Sequence, residues 1–203
     1  MAERVLTEHS LGLTWVGADP LERAAHALAQ DGRVWLVDPF TDDEAIERAQ
    51  ALGEVQSVLQ LFVAHERDGA AIAERLGVPF VALPDIVRDS PFSVLDVGDK
   101  RLWKERALWW PERKGLIVGE SIGTAPHYAV GDGPAGVHLL RRLLPPNQLR
   151  SFLPEHLLVG HGRPIHGGEA AAALLDALDR SRRDLPAFAR KAPGLIRNMR
   201  RGS

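Results

Sequence analysis

The sequence contains no cysteine, which excludes disulfide bonds, thiolate zinc sites and cysteine nucleophiles. It also lacks any apolar run near the roughly 20 residues that a membrane span requires. The N-terminal stretch carries acidic residues and no apolar segment of the kind found in secretory signals. We therefore expect a soluble, cytoplasmic protein with no membrane partner.

The chain also lacks a strong excess of either charge. Its 25 Lys and Arg residues stand against 27 Asp and Glu residues, a formal net charge of −2. Nucleic-acid binding rests on cationic surfaces that neutralise phosphates, so we expect no nucleic-acid partner. With 203 residues, 45% of them apolar, the chain is long enough for one sizeable domain with a buried core.

No fixed-period repeat and no low-complexity linker divides the chain. We predict a single domain over 1–180, followed by a basic helical tail over 181–203. In the tail, one acid, Asp184, stands against Arg182, Arg183, Arg190, Lys191, Arg197, Arg200 and Arg201. We interpret the tail as a solvated helix, and the alternative is a basic arm that binds a partner or nucleic acid.

Strand and helix signals alternate in the first half of the chain. The apolar run over 33–40 predicts a buried strand. Thr41 and Glu44 have the spacing of a capping box, which predicts the start of a helix that ends at Gly53. A second strand, a helix that ends at Gly77 and a third strand follow. This alternation implies crossover connections and a partly parallel sheet.

The second half changes character. Two apolar segments around a polar turn over 107–120 predict a β-hairpin. Helical signals return over 135–144, a strand is predicted over 156–160, and a helix over about 169–178. The sum predicts a mixed α/β protein with two sheets back to back and helices covering them.

Polar residues follow three of the predicted strands directly, where open α/β sheets place their ligands. If these strand ends share one edge, their side chains converge. Histidine and carboxylate side chains are the usual ligands of zinc and iron. The candidate cleft residues are His65, Arg67, Asp68, Glu120, Ser121, His161 and His166.

The order of these segments resembles the metallo-β-lactamase fold superfamily over roughly Leu11 to Leu178. VWLVDPF resembles that family's early strand ending in an acid, and VLQLFVAHERDGAAIAERLGVPFVA resembles the segment that carries its T-H-x-H-x-D-H signature. ALWWPERKGLIVGES resembles the hairpin ending in the G-D motif, and LLVGHGRPI resembles the late strand with its G-H-G histidine. The resemblance implies an α+β fold, a four-layer αββα sandwich with a metal site at one sheet edge.

The signature itself is degenerate in this chain. His65 keeps the second histidine of the motif, Glu120 replaces the metal-bridging aspartate, and His161 stays in its expected place. The family's next histidine is expected within 97–106, where the sequence has none. The other histidine and aspartate positions of the signature are occupied by Val63, Arg67 and Asp68.

Too few ligands remain for two metal ions and a shared hydroxide. We predict that Arg67 takes the vacated metal position and pairs with Glu120 or Asp68, so that no metal cofactor is bound. The protein then acts by binding an unknown small molecule or a partner in the old cleft. The alternative is a hydrolase of an ester, lactone, thioester or phosphoester, with a single Zn or Fe on His65, Glu120 and His161.

Two weaker signals complete the set. Residues 119–123 fit the G-x-S-x-G string around Ser121, which suggests a serine hydrolase, although Pro126 argues against the helix such a motif needs. Trp109 and Trp110 alternate along one strand, so one of them is expected to be exposed, which favours a homodimer. The remaining histidines show no spacing typical of a site, although His127 could line a pocket.

Overall fold

The computed structural model describes residues 3–65, 67–98 and 103–201, in which the strands form two large sheets and one small one. The first sheet has six strands in chain order, antiparallel from β1 to β4 and parallel from β4 to β6. These strands are β1 (Val5–His9), β2 (Gly12–Val16), β3 (Ala24–Gln30), β4 (Arg33–Val37), β5 (Glu54–Gln60) and β6 (Phe80–Ala82). The parallel pairs confirm the predicted crossover connections.

The second large sheet has the strand order β13-β12-β9-β8-β7, with β12 parallel to β9 and the other pairs antiparallel. Its strands are β7 (Ser93–Asp96), β8 (Arg106–Trp110), β9 (Gly115–Val118), β12 (His156–Val159) and β13 (Ile165–His166). A small ribbon pairs β10 (Ile122–Gly123) with β11 (Gly136–Val137).

The two large sheets pack face to face, and helices cover their outer faces. Trp35 and Leu59 of the first sheet share one apolar cluster with Trp110 and Leu158 of the second. Helices α1 and α2 pack on the outer side of the first sheet, and α3 on the outer side of the second. The helices are α1 (Asp43–Ala51), α2 (Gly69–Leu76), α3 (Glu169–Arg180) and α4 (Leu185–Arg201). This layer order confirms the four-layer αββα sandwich.

Of the predicted helix ends, the end of α2 agrees with the structure and the start of α1 does not. Helix α2 ends at Gly77 in the left-handed conformation, at φ 67°, as predicted. Helix α1 is not capped by Thr41: the carboxylate of Asp42 accepts the amide of Ala45 at 3.1 Å and is the N-cap. The predicted capping box is therefore wrong: the cap lies one residue later, and Ala45 has no side chain that could bond back to it.

The hairpin predicted over 107–120 is present as antiparallel β8 and β9. Trp110 is fully buried between the sheets, and Trp109 is half-buried against the Phe152 ring at 5.1 Å. Neither ring forms the exposed tryptophan on which the homodimer was predicted. The homodimer stays a prediction.

The helix predicted over 135–144 is wrong. Gly136 and Val137 instead form β11, and a single 3₁₀ turn over Leu139–Arg141 follows. Two prolines, Pro145 and Pro146, then prevent a longer helix from forming.

Helix α4 lies in the segment predicted as a basic tail. Its first turn is tied to the sandwich, because the Arg142 guanidinium lies 5.9 Å from the centre of the Phe188 ring. Asp184 also accepts a hydrogen bond from Arg180 at 2.7 Å. Among the described residues, no helix has the length and apolar character needed to cross a bilayer. The division into a domain and a tail stays a prediction.

Candidate metal centre

Four polar side chains follow the ends of four strands and meet at one edge of the sandwich. Asp38 comes directly after β4, and Glu120 follows β9. His65 and His161 lie in the loops that follow β5 and β12. One ligand atom from each of His65, Glu120 and His161 falls within 4.8 Å of the other two. The structure thus brings these three candidate residues together, as the shared-edge argument predicts.

His65 lies between two carboxylates. Its Nδ1–H donates to Asp38 at 2.8 Å, and its Nε2 lies 2.7 Å from Oε2 of Glu120. Burial alone would lower the pKa of His65, but Asp38 and Glu120 outweigh it, and the pKa is raised. Burial works to raise the pKa of Asp38, yet His65 and Arg67 hold it below its usual value.

His161 approaches the same carboxylate oxygen from β12. Its Nε2 lies 3.1 Å from Oε2 of Glu120, and its Nδ1 lies 2.9 Å from the carbonyl oxygen of Leu21. A carbonyl can only accept, so Nδ1 of His161 carries the proton of that hydrogen bond. Its other ring nitrogen, Nε2, is left to face Glu120.

The two oxygens of Glu120 have different neighbours. Oε2 faces the two histidines, whereas Oε1 accepts a hydrogen bond from the Tyr128 hydroxyl at 2.7 Å and lies 3.4 Å from Nε2 of His138. Burial opposes the negative charge, but His161 and His65 together hold the pKa of Glu120 well below its usual value. The contacts on Oε1 fix the carboxylate so that Oε2 points at both imidazoles.

Nothing in the collections of family models or curated proteins matches the chain. Solved structures do match. The DIM-1 metallo-β-lactamase is 13% identical with a TM-score of 0.61, and the match covers 88% of this chain and 97% of that one. FIM-1 from Pseudomonas aeruginosa, in its mono-zinc form, is 12% identical with a TM-score of 0.58 over 89% and 97%. TTHA1623, in a di-iron-bound form, is 19% identical with a TM-score of 0.54 over 74% and 93%.

This chain has the metallo-β-lactamase fold. The αββα layers and the site at one edge are those that the sequence resemblance implies. At these identities the likeness establishes the fold, while the chemistry has to be argued from the side chains.

Arg67 does not lie where we predicted. Its guanidinium donates to the backbone oxygens of Ala24 at 2.5 Å, Asp38 at 2.8 Å and Gly160 at 2.9 Å. Within the described residues it forms no ion pair with Glu120 or Asp68, so the predicted salt bridge is wrong. A forked cation satisfies several carbonyls at once, and here it joins the ends of three strands instead of replacing an ion.

The other candidates lie apart from the three-residue group. Asp68 accepts the amide of Thr41 at 2.7 Å, which ties the His65 loop to the segment before α1. His166 pairs with His156 at the opposite end of β12.

Ser121 is fully buried, and its hydroxyl donates to Glu105. The short strand β10 follows it where a nucleophile elbow needs a helix. The serine-hydrolase alternative therefore finds no support in this geometry.

Sequence reasoning missed three residues around the site and gave a fourth, Asp38, no role there. Tyr128 and His138 had no motif to mark them, because each reaches Glu120 from an irregular segment. Glu105 is buried and accepts the amides of Glu120 and Ser121 at 2.8 and 2.9 Å, which shapes the turn after β9. Asp38 was noted only through the family resemblance, although its place directly after a strand gave the signal.

The chemistry of the donor set fits one metal ion. Nδ1 of His65 donates to Asp38 and Nδ1 of His161 donates to Leu21, the arrangement by which outer partners orient metal-binding histidines. When both rings are neutral, their two Nε2 lone pairs lie beside one carboxylate oxygen, which is a set of donors that one cation can bind. Without a cation, each ring needs a second proton to bond Glu120. The described residues contain no second group of this kind.

A cavity of about 190 Å³ opens beside the site. Asp38, His65 and Arg67 form its polar wall, and Leu59 and Phe80 form its apolar wall. Ligand pockets for drug-sized molecules usually measure about 300–1,000 Å³. The cavity therefore suits a small group, such as one end of a larger molecule.

Proposed function

We propose that this protein is a hydrolase with a single metal ion, held by His65, Glu120 and His161. The observation that carries the proposal is the commitment of both Nδ1 atoms to acceptors, which leaves both Nε2 atoms facing Oε2 of Glu120. Two histidines and one glutamate are a known ligand set for catalytic zinc, with a further position left open.

One ion is favoured over two by the residues that replace the rest of the family signature. Val63 has no donor atom, and Arg67 brings a permanent positive charge to the loop that normally supplies a second set of ligands. Fold neighbours described as mono-zinc and di-iron forms show that both occupancies exist on this architecture. The donor set of this chain supports the smaller number and either metal.

The residues around the proposed ion have two roles, to orient the imidazoles and to fix the carboxylate. Asp38 and the Leu21 carbonyl orient the two imidazoles, and Tyr128 and His138 hold the second oxygen of Glu120. An ion bound there supplies Lewis acidity, which polarises a carbonyl or phosphoryl oxygen and acidifies water. The adjoining cavity would seat a small part of the substrate, an ester, lactone, thioester or phosphoester.

The alternative from the sequence is a metal-free cleft that binds a small molecule or a partner. In that case both histidines carry two protons, and their positive charges balance Asp38 and Glu120. The raised pKa of His65 is compatible with this state. The two functions therefore differ in metal content, which can be measured directly.

The test is the metal content of the protein purified after growth with added zinc and iron, measured by inductively coupled plasma mass spectrometry. We expect the wild type to hold one equivalent more than His161→Ala or Glu120→Gln. His127→Ala is the matched control, because its ring lies 5.6 Å from that of His161 but outside the ligand group.

Equal metal content in all of these proteins would overturn the metal centre and favour the metal-free cleft. The loaded protein is then assayed on one ester, one lactone, one thioester and one phosphoester. Hydrolysis of at least one of them, lost in Glu120→Gln, supports the proposed activity. A loaded protein that hydrolyses none of the four contradicts the hydrolase but not the metal centre.

A further inference from the structure

A second group of histidines lies at the end of β12 opposite the proposed metal centre. His156 begins β12, and His166 ends β13 directly opposite it in the antiparallel register. His161 lies five residues further along the chain, and a strand rises about 3.3 Å per residue, so about 16 Å separates the two groups. This second group has no part in the proposed hydrolysis.

The two rings face each other through the same atom. Nδ1 of His156 lies 2.8 Å from Nδ1 of His166, so one ring donates the hydrogen bond and the other accepts it. Residues directly opposite in an antiparallel pair hold their Cβ atoms only about 5 Å apart, and this spacing lets the rings meet. The two backbones thus hold two nitrogen donors side by side.

The outer nitrogens of the pair differ in their partners. Nε2 of His156 lies 3.2 Å from the hydroxyl of Ser10, which can either donate or accept. Nε2 of His166 is buried and has no hydrogen-bond partner among the described residues. The hydrogen bond between the rings therefore leaves one polar atom of the pair unsatisfied.

No carboxylate contacts either ring in the described part of the chain. A third imidazole, that of His9, packs against His166 with ring centres 4.8 Å apart, but its nitrogens contact Thr14 and the amide of Leu11. Burial lowers the pKa of His156 and His166, so both rings are neutral near pH 7, the form that binds metals.

We propose that His156 and His166 form a second metal site, a bidentate imidazole pair for a late first-row divalent ion such as Ni²⁺ or Cu²⁺. Imidazole nitrogens suit these ions, whereas Mg²⁺ and Ca²⁺ require oxygen ligands. Binding through both Nδ1 atoms needs the shared proton to leave Nδ1 of the donor ring. If His156 is that donor, the proton moves from its Nδ1 to its Nε2, and the new Nε2–H donates a hydrogen bond to the Ser10 hydroxyl, so the ring stays neutral and no proton is released.

The experiment is a calorimetric titration of the full chain carrying His65→Gln and His161→Gln, which removes the central ligands. We expect this parent to bind one equivalent of Ni²⁺ or Cu²⁺ and no Mg²⁺. Even the loss of a residue that only hydrogen-bonds to a metal ligand lowers the affinity for the metal by about 10–100-fold. Adding His156→Gln or His166→Gln should therefore weaken binding more than tenfold, and His127→Gln is the matched control.

Unchanged affinity in both His156→Gln and His166→Gln would overturn the site, as would equal weakening by His127→Gln. Circular dichroism confirms that each variant is folded. If the parent does not fold, the same titration is made on otherwise wild-type chains, where His166→Gln must bind one equivalent fewer. This difference holds whether or not the central site binds metal, so the two proposals fail separately.

Discussion

The buried histidines of this protein fall into two groups, one with carboxylate partners and one without. His65 contacts Asp38 and Glu120, and its pKa is raised despite burial. His26 is buried to a similar extent but contacts only Thr14 and the carbonyl of Val159, and burial lowers its pKa to about 3. The comparison teaches that the neighbouring acid, and not burial itself, decides whether the pKa of a buried histidine in this fold is raised or lowered.

The carboxylate-free group forms a chain of hydrogen bonds in which each proton can be assigned. The amide of Leu11 donates to Nδ1 of His9, whose Nε2–H donates to the Thr14 hydroxyl at 2.9 Å. That hydroxyl donates to Nδ1 of His26 at 2.8 Å, and Nε2–H of His26 donates to Val159 at 3.1 Å. Both rings, those of His9 and His26, are neutral in this arrangement. A second proton on either ring would break one of these hydrogen bonds.

The largest effect that separates the two groups is a loss of stability in mild acid. Burial lowers the pKa of His9 to about 4 and that of His26 to about 3, against 6.5 when unfolded. The unfolded chain therefore binds more protons as the pH falls below 6.5. Each histidine should cost about 2 kcal/mol of unfolding free energy between pH 7 and pH 5.

Urea unfolding at pH 7 and pH 5 measures this loss. His9→Gln should reduce the difference between the two pH values by about 2 kcal/mol, because it removes one of the rings whose pKa burial lowers. Asp85→Asn, at an exposed carboxylate, serves as the control. A wild-type protein equally stable at both pH values would show that these rings are not neutral and buried.

A smaller effect tests the carboxylate that supports His65. Asp38→Asn removes a buried charge that contacts both His65 and the amide of Leu61. Hydrogen bonds to charged groups contribute about 1.5–3 kcal/mol each, and the Asp38 carboxylate accepts two, so we expect a loss of about 3 kcal/mol at pH 7.

Asp85→Asn provides the matched control in urea unfolding. The Asp85 side chain is 89% exposed and pairs with Arg106, so its loss should cost less than about 1 kcal/mol. Similar losses in both variants would mean that the two hydrogen bonds of Asp38 do not stabilise the fold.

The smallest of these effects concerns Oε1 of Glu120, the carboxylate oxygen that does not face His65 and His161. Tyr128→Phe removes the hydroxyl that donates to Oε1 at 2.7 Å and leaves the ring in place. Hydrogen bonds to charged groups contribute about 1.5–3 kcal/mol, so we expect a loss near the lower figure because His138 remains close. Thermal unfolding measures it, and a variant as stable as the wild type would show that Oε1 is not held by Tyr128.

Sequence patterns predicted the regular parts of the fold and the candidate site residues that directly follow strands. The strand over 33–40, the β8–β9 hairpin and the end of α2 at Gly77 each follow from local apolar runs and turn residues. His65, Glu120 and His161 could be grouped because each follows a strand, and strand ends meet at an edge.

The missed parts depend on contacts between distant segments. Strand β3 (Ala24–Gln30) is rich in alanine, which carries no strand preference, and it becomes a strand only by pairing with β2 and β4. Arg67 was expected at the metal position because the sequence gives its charge but not the direction in which its side chain extends. Its actual partners are backbone oxygens, which no sequence motif marks.

The fork of Arg67 has a consequence for how the loop around His65 moves. Three backbone acceptors, from Ala24, Asp38 and Gly160, end on one guanidinium. Withdrawing that side chain would remove the donor of all three hydrogen bonds at the same moment. A partial opening of the loop would already lose the same three hydrogen bonds as a full opening. The loop should therefore release in a single cooperative event that loosens three strand ends together.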